Sequence, residues 1–414
     1  MKVAVTILVF CVAALLALGL VMLYSASMTQ VGARYLLMQL IWCGVGLVVC
    51  LAAALSDYRH LKKIWWLIFA AAAVMLVLVL VPHIGVVRGH ARRWFAYGRF
   101  SFQPSEFGKL ALLVALAWYG ERYQRKMATW KVGIAIPGLM IGLIVGLIFK
   151  EPDVGNAMLL AVVSGIILLT AGIRLRYFLP PVLACAVAVS AFIYHNPMRS
   201  ERIYSWLHLE ETKKDKGLQA YQAMVALGSG GVVGKGLGDG RQKHGFLPEH
   251  DTDFIFSMIG EELGLIATLA VVAAFVAILL CGLCIAVNAS DTFGLLLGVG
   301  ISFLIGMQAM INIGVVTGAL PNKGLPLPFI SRGGSNLMIL LGSIGVLLSI
   351  ARHAKVREEL STPAAKESRR GGNPFAPAER EKSAASARQR QSWGLLSWFI
   401  PNSSIPEPSG PARA

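Results

Sequence analysis

Charge is scarce in this sequence. Asp, Glu, Lys and Arg make up 14% of its 414 residues, against roughly 25% in a soluble domain, which excludes an ordinary water-solvated globule. Cysteine is rare as well. The six, at 11, 43, 50, 185, 281 and 284, all fall inside apolar runs and imply no disulfide framework. Cys281 and Cys284 form a CxxC without a second pair or neighbouring histidines, so small apolar packing is the better reading. The glycine-rich stretch GSGGVVGKGLGDGRQKHG lacks both phosphate-binding fingerprints: no GxGxxG register fits, and Lys235 is followed by Gly236 rather than Ser or Thr. Its glycines instead let the backbone turn tightly and approach a ligand closely. Nor is the basic excess interleaved with aromatics in the manner of nucleic-acid binders. A net charge of +16 spread over both sides and the tail reads as attraction to anionic lipid.

Long apolar runs are what the sequence has in abundance, with 56% hydrophobic residues and a mean hydropathy of +0.64. Runs near the ~20 residues that cross a bilayer as helix recur at about 3–24, 36–56, 64–82, 105–119, 132–149, 154–172, 177–195, 254–286, 292–318 and 334–351. The expected fold is therefore an all-α integral membrane protein with about ten transmembrane helices. The first run has an early lysine like a signal peptide, yet it is too long and lacks a small-x-small cleavage site, so it stays as a span.

Lysine and arginine in the short loops set the orientation. With the N-terminus inside, Arg59, Lys62 and Lys63, then Arg122, Arg125, Lys126 and Lys131, then Arg174 and Arg176, and the tail after Arg352 are cytoplasmic. The loop 82–103 falls outside despite Arg88, Arg92, Arg93 and Arg99, so those arginines answer to something other than topology. The largest extracytoplasmic loop, 198–252 between spans 7 and 8, mixes charge with Trp and Tyr and predicts a helix lying along the membrane. Residues 1–352 form the membrane domain, and 353–414 a basic tail whose Pro, Ala, Ser and Arg content predicts disorder. SWGLLSWFI near its end suits a membrane surface or a docked partner.

Polar residues at the lips of spans are costly, at roughly 2.5–3.5 kcal/mol per ionised residue at a helix centre, and need a partner or a task. In LPEHDTDFIFSMIGEELG, Asp253 stands where the eighth span starts and suits either an N-cap or chemistry. Glu261 lies eight residues on, about 12 Å along a helix, too far for a carboxylate pair that needs about 5–9.5 Å. Gln103, Pro104, Ser105 and Glu106 open the fourth span, and Glu106 is spaced to pair with Lys109. Glu151 and Asp153 occupy a short turn, EPDVGNA. In ALPNKGLPLPFISRGGSN the prolines forbid a continuous helix, so irregular backbone presents Lys323 and Arg332. With Arg92 and Arg93 these would make a cationic wall opposite Asp253. One carboxylate facing several cations suits transfer on a polyanionic lipid: the cations hold a diphosphate leaving group and the carboxylate takes a hydroxyl proton.

ARRWFAYGRFSFQPSEFGKLAL, EPDVGNAMLL, LGSGGVVGKGLGDGRQKHGFLPEHDTDFIFSMIGEELG and LPNKGLPLPFISRGGSN resemble, in order and spacing, the signatures of the SEDS family (shape, elongation, division and sporulation proteins). The resemblance covers about 3–352 and implies a peptidoglycan glycosyltransferase that polymerises lipid II on the outer face of the bacterial cytoplasmic membrane. Undecaprenyl diphosphate would leave, with inversion. It implies Asp253 as the essential aspartate, and Arg92, Arg93, Gln103, Ser105, Glu106, Lys109, Asp153, Lys323, Ser331, Gly333, Gly334 and Ser335 as motif positions. Two departures stand out: His250 and Asp251 replace the usual Ala-His, and Arg332 replaces the usual tyrosine. Asp251 beside Asp253 would help hold a divalent cation, if one is used. Asn322 and Lys323, with the long tail, look more like the division (FtsW-like) branch than the elongation (RodA-like) one.

Lipid II, the nascent glycan strand and other division proteins are then partners. So is a single-span class B penicillin-binding transpeptidase, expected against spans 8 and 9 around Leu269 to Leu280, where Gly298, Gly300 and Gly306 permit close approach. The competing reading, a flippase for lipid II, needs ionic groups along a path across the bilayer, whereas these cluster at the outer lip. A scaffold for other division proteins is compatible with the tail but does not require the cavity.

Overall fold

In hydrocarbon every backbone N–H and C=O must be satisfied within the chain, and a helix does so inside one segment. The computed structural model describes residues 1–27, 34–88, 91–97, 100–213, 215, 217–240 and 252–361. Its first elements are α1 (Lys2–Ser27), α2 (Arg34–Leu55), α3 (Arg59–Lys63) and α4 (Trp65–Leu80), then β1 (Val86–Arg88), β2 (Ala91–Tyr97) and β3 (Phe100–Phe102). After these come α5 (Pro104–Arg122), α6 (Ile136–Lys150), α7 (Val154–Thr170), α8 (Leu175–Tyr194), α9 (Pro197–Leu207), α10 (Leu209–Thr212) and α11 (Leu218–Ser229). The series ends with α12 (Ile255–Val287), α13 (Thr292–Val316) and α14 (Gly334–Ser361). The tail beyond 361, with its expected disorder and SWGLLSWFI patch, lies outside the described residues, as do Arg99, His250 and Asp251.

The fold is that of a helical membrane protein. Among the described residues seven helices are long and apolar enough to cross a bilayer, and α4 and α7 are shorter apolar helices. The remaining expected span, α5, carries Glu106, Lys109, Glu121 and Arg122. To this the structure adds a small antiparallel sheet, β1-β2-β3, in the arginine-rich loop. The large loop holds α9 to α11.

Side chains tie the loops into two opposite ends. At one, the Tyr58 hydroxyl donates to Asp291 (2.7 Å), Arg59 pairs with Asp291 (3.3 Å), Lys62 pairs with Glu121 (2.5 Å), and Arg352 donates to the Leu55 carbonyl (2.6 Å). The other end holds the sheet, the turn 151–153, α9 to α11, the turn 252–254 and the loop 317–333. Among the seven long apolar helices α13 and α14 are the most enclosed, whereas α8 buries none of its residues.

α12 is broken inside the membrane domain. Gly264 has φ 79° and ψ −171°, a conformation that glycine adopts without Cβ strain. The glycine-rich loop repairs the lost helical bonds: Leu265 and Ile266 N–H donate to the carbonyls of Gly231 (3.0 Å) and Val232 (3.3 Å), and Lys235 and Gly236 N–H to those of Glu261 (3.0 Å) and Glu262 (3.0 Å). The buried carboxylates are matched too. Lys235 pairs with Glu261 (2.9 Å), and Ser25 Oγ and Gly238 N–H donate to Glu262 (2.7 and 3.0 Å). The glycines turn tightly as expected, and two of them approach α12 closely: a Cβ on Gly230 or Gly234 would strike the carbonyl of Gly260 or Glu262.

A second expectation changes at the α12–α13 contact. A Cβ on Gly298 would meet Ala286, one on Gly300 would meet Ile167 and Leu113, and one on Gly306 would meet Leu279. Gly298 and Gly300 are buried in contacts within the chain, and half-buried Gly306 lies against Leu279, so the close approach these glycines permit is to helices of this chain. All six cysteines are free.

Gly234→Ala is expected to destabilise, since it combines a φ of 87° with the clash on Glu262. Overpacking of this kind costs about 1–3 kcal/mol, so thermal unfolding of the variant in detergent should begin several degrees below wild type.

Candidate functional site

α12 starts at Ile255, and Phe254 takes its N-cap position without a side-chain cap. Asp253 stands one residue earlier, so it does not occupy the cap position. The surrounding turn is anchored through its carbonyls: Asn312 Nδ2 donates to that of Asp253 (2.8 Å), and Ser331 Oγ to that of Thr252 (2.5 Å). The half-buried Asp253 carboxylate lies against Gly324, where a Cβ would come within 2.6 Å of Oδ2. Asp253 thereby reaches the residue next to Lys323.

Lys323 is half-buried and donates to the Met158 thioether (2.9 Å). Burial, and then the charge of Arg199, hold its ammonium below the usual lysine range. Arg199, on α9, rests over the rings of Phe192 (4.5 Å) and Phe149 (5.7 Å). Burial lowers its pKa first, and the like charges of Arg202 and Arg93 lower it further. Arg93, on β2, donates to the carbonyls of Glu151 (2.8 Å) and Pro152 (2.8 Å) and lies 3.8 Å from Asp153 Oδ2. Arg93, Arg199, Arg202 and Lys323 thus converge from three elements at one end of the bundle. Like charges crowded in a half-buried place repel, and a bound polyanion relieves that repulsion.

Arg92 is not part of this group. Consecutive residues of a strand face opposite sides, and Arg92 turns to α4, donating to the Leu80 carbonyl (3.2 Å). Arg332 is engaged elsewhere too, stacked 3.9 Å over the Tyr35 ring of α2. The expected wall of Arg92, Arg93, Lys323 and Arg332 therefore reduces to Arg93 and Lys323, joined by Arg199 and Arg202.

Behind the cations runs a buried polar network. Gln103 Nε2 donates to Ser105 (2.9 Å) and Asp153 (3.2 Å), and its N–H to Ser335 Oγ (3.2 Å). Asp153 caps α7 and accepts from the Asn156 amide (2.9 Å). Lys109, 1% exposed, pairs with Glu106 (2.9 Å) and donates to Asn156 (3.1 Å) and Gln308 (3.3 Å). Gln308 then donates to the Pro326 carbonyl (2.9 Å), and Asn312 to those of Leu325 (2.7 Å) and Asp253 (2.8 Å). Ser331 accepts from Leu327 N–H (2.8 Å). Glu106, Lys109, Ser105, Ser331 and Ser335 are buried, and their contacts tie α5, α7, α13 and the loop 317–333 together.

A family profile described as cell cycle protein, FtsW/RodA/SpoVE, matches residues 6–356. The chain belongs to the FtsW/RodA/SpoVE family. Its relatives include the probable peptidoglycan glycosyltransferase FtsW of Geobacter metallireducens, 37% identical over 83% of this chain and 93% of that one. Stage V sporulation protein E of Bacillus subtilis is 37% identical over 82% of this chain and 95% of its own length. Among solved structures, a chain from work on a peptidoglycan synthase complex that coordinates polymerization and crosslinking superposes with a TM-score of 0.71 at 28% identity, covering 84% of this chain and 97% of that one. The rod shape determining protein RodA of Thermus thermophilus gives 0.63 at 28%, covering 83% and 95%.

In this FtsW/RodA/SpoVE chain, sequence reasoning passed over Arg199 and Arg202, Asn156 and Gln308. Two arginines in the segment NPMRSER, three residues apart on one helical face, were the available signal. For the divalent cation, Asp251 lies outside the described residues, and among those described no three His, Cys, Asp or Glu side chains gather.

Glu151 is the anomaly of the site. It is 0% exposed, and neither carboxyl oxygen has a hydrogen-bond partner. Burial, and then repulsion from Asp153, push its pKa up to about 8, with Arg93 opposing. An acid whose pKa is raised on folding keeps its proton in the native state while the unfolded chain loses it, so stability falls as pH rises from about 4.5 to about 8. Glu151→Gln removes that dependence. The variant should match wild type near pH 4 and exceed it at pH 9, by on the order of 2–4 kcal/mol, as read by thermal unfolding across pH.

Proposed function

We propose that the chain is a peptidoglycan glycosyltransferase that polymerises lipid II during cell division, with undecaprenyl diphosphate as leaving group. It works at the outer face of the bacterial cytoplasmic membrane, with ten helices crossing, both termini cytoplasmic and 353–414 as a separate tail. The observation that carries this reading is the carboxylate of Asp253 set against Gly324, the residue after Lys323, with Arg93, Arg199 and Lys323 converging on the same end. The division role follows the names of the FtsW relatives.

In the reaction a sugar hydroxyl of one substrate attacks the anomeric carbon of the other. The new C–O bond forms on the face opposite the diphosphate, whose C–O bond breaks with its electron pair going to the departing oxygen. Asp253 takes the hydroxyl proton. Arg93, Arg199 and Lys323 hold the diphosphate and stabilise the charge that develops on it. Gly324 leaves room for the carboxylate. A class B transpeptidase would lay its single span on the exposed apolar face of α12, at Ile266, Leu269, Val276 and Leu280.

Asp253→Asn should abolish polymerisation of lipid II by purified protein while leaving thermal unfolding unchanged, because the amide keeps the size but accepts no proton. Gly324→Ala should act in the same direction. Its added methyl displaces the Asp253 carboxylate, so kcat falls while KM holds. A folded Asp253→Asn variant that polymerises at wild-type rate would sink the general-base role.

The cations are tested by affinity. A charge-assisted hydrogen bond contributes about 1.5–3 kcal/mol, so Lys323→Met and Arg199→Met should each weaken inhibition by added undecaprenyl diphosphate by roughly 10- to 150-fold. An unchanged inhibition constant in both variants removes these residues from leaving-group binding.

A further inference from the structure

The end of the bundle opposite the candidate site carries a feature that polymerisation does not use. A cavity of about 400 Å³ opens there, lined by Lys62, Trp118, Glu121 and Arg122. It lies between α3 and the last turn of α5.

The cations at this end divide into two kinds. Arg59 is spent on Asp291 and Ser290, Arg352 on the carbonyls of Leu55 and Ser56, and Lys62 on Glu121 at 2.5 Å. Arg122 is exposed at the cavity and makes no hydrogen bond or ion pair among the described residues. Since Lys62 neutralises Glu121, Arg122 supplies the uncompensated charge of the cavity. Lys63, Arg125 and Lys126 flank it in sequence. The carbonyl end of α5 disfavours an anion, so attraction rests on these side chains.

One aromatic residue, Trp118, lines the cavity, and other rings back it. Trp65 and Trp118 stack with ring centroids 4.1 Å apart, and Tyr123 meets Trp118 edge-on at 6.5 Å. Beside them Ile64 and Trp66 are exposed where the apolar run of α4 begins. Indoles and tyrosines at such a boundary mark headgroup depth, and basic pockets between spans at that depth take acidic head groups. The volume far exceeds what a single ion fills. We propose that this cavity is a headgroup site for an anionic phospholipid: Arg122 holds the phosphate, and the Trp65–Trp118 pair seats the glycerol backbone and upper acyl chain.

The test uses the full-length chain in neutral detergent, stripped of lipid and titrated with phosphatidylglycerol or phosphatidylcholine of the same acyl chains, bound lipid being counted by native mass spectrometry. One saturable phosphatidylglycerol adduct is expected, weakened about tenfold in Arg122→Ala and largely kept in Arg122→Lys, with unfolding temperatures unchanged. Phosphatidylglycerol with brominated chains should also quench wild-type tryptophan fluorescence more than it quenches Trp118→Phe, which tests the site without altering a charge. Equal binding of the two lipids, or an unaltered adduct in Arg122→Ala, overturns the proposal. So does displacement by millimolar inorganic phosphate, which would mark a site for a soluble anion, or equal quenching in Trp118→Phe.

Discussion

A buried ammonium next to a buried carboxylate is the constraint on which the half of this molecule that holds the candidate site depends. Lys109 and Glu106 sit one turn apart on α5, both almost wholly removed from solvent. Removing one partner of such a pair leaves an uncompensated charge and typically costs 3–5 kcal/mol, although the pair itself adds little net stability over an apolar replacement. Its value is specificity of arrangement. Lys109 has donors left after meeting Glu106, and these draw in Asn156 from α7 and Gln308 from α13. Gln308 and Asn312 then hold the carbonyls of a loop too rich in proline to hold itself. From one ion pair the chain of bonds reaches the backbone of Asp253.

Much of this was legible in the sequence, and the parts that were not share a cause. Apolar runs near span length located ten helices, and the i, i+3 spacing of Glu106 and Lys109 correctly suggested that they pair. Short-range periodicity carried these readings. What escaped was set by contacts between segments far apart in the chain. The hydropathy of the loop 82–103 gives no hint of its sheet, and without the sheet Arg92 and Arg93 look equivalent, whereas a strand must separate them. The spacing of Arg199 and Arg202 is only a weak signal, because the value of Arg199 lies in meeting Arg93 and Lys323, more than 100 residues away on either side. The glycine-rich stretch announces tight backbone, but its docking against α12 is a contact between distant segments. Asp253 suited a cap as well as chemistry because nothing local says that the helix starts two residues later.

The two ends of the bundle treat arginine in opposite ways. At the end with α3, guanidinium groups are mostly absorbed by carboxylates and carbonyls that lock loop to loop. At the other, Arg93, Arg199 and Lys323 are set near one another, with Asp153 offsetting part of the charge. Such unequal pairing costs stability in the free protein. It is tolerable because aromatic faces at Phe149 and Phe192 support Arg199 without cancelling its charge.

The break at Gly264 divides α12 into two mechanical bodies. The long arm from Leu265 onward presents Leu269, Val276 and Leu280 outward, so collisions with the bilayer act on it continually. A continuous helix would carry that bending straight down its axis, because each turn is bonded to the next. Here the ladder stops at the glycine, and the short arm is clamped instead to residues 231–236 and, through Glu262, to α1. The same loop also holds the start of the long arm, through Leu265 and Ile266, so the turn bearing Asp253 is joined to the membrane-facing arm by way of a bonded loop instead of an unbroken helix.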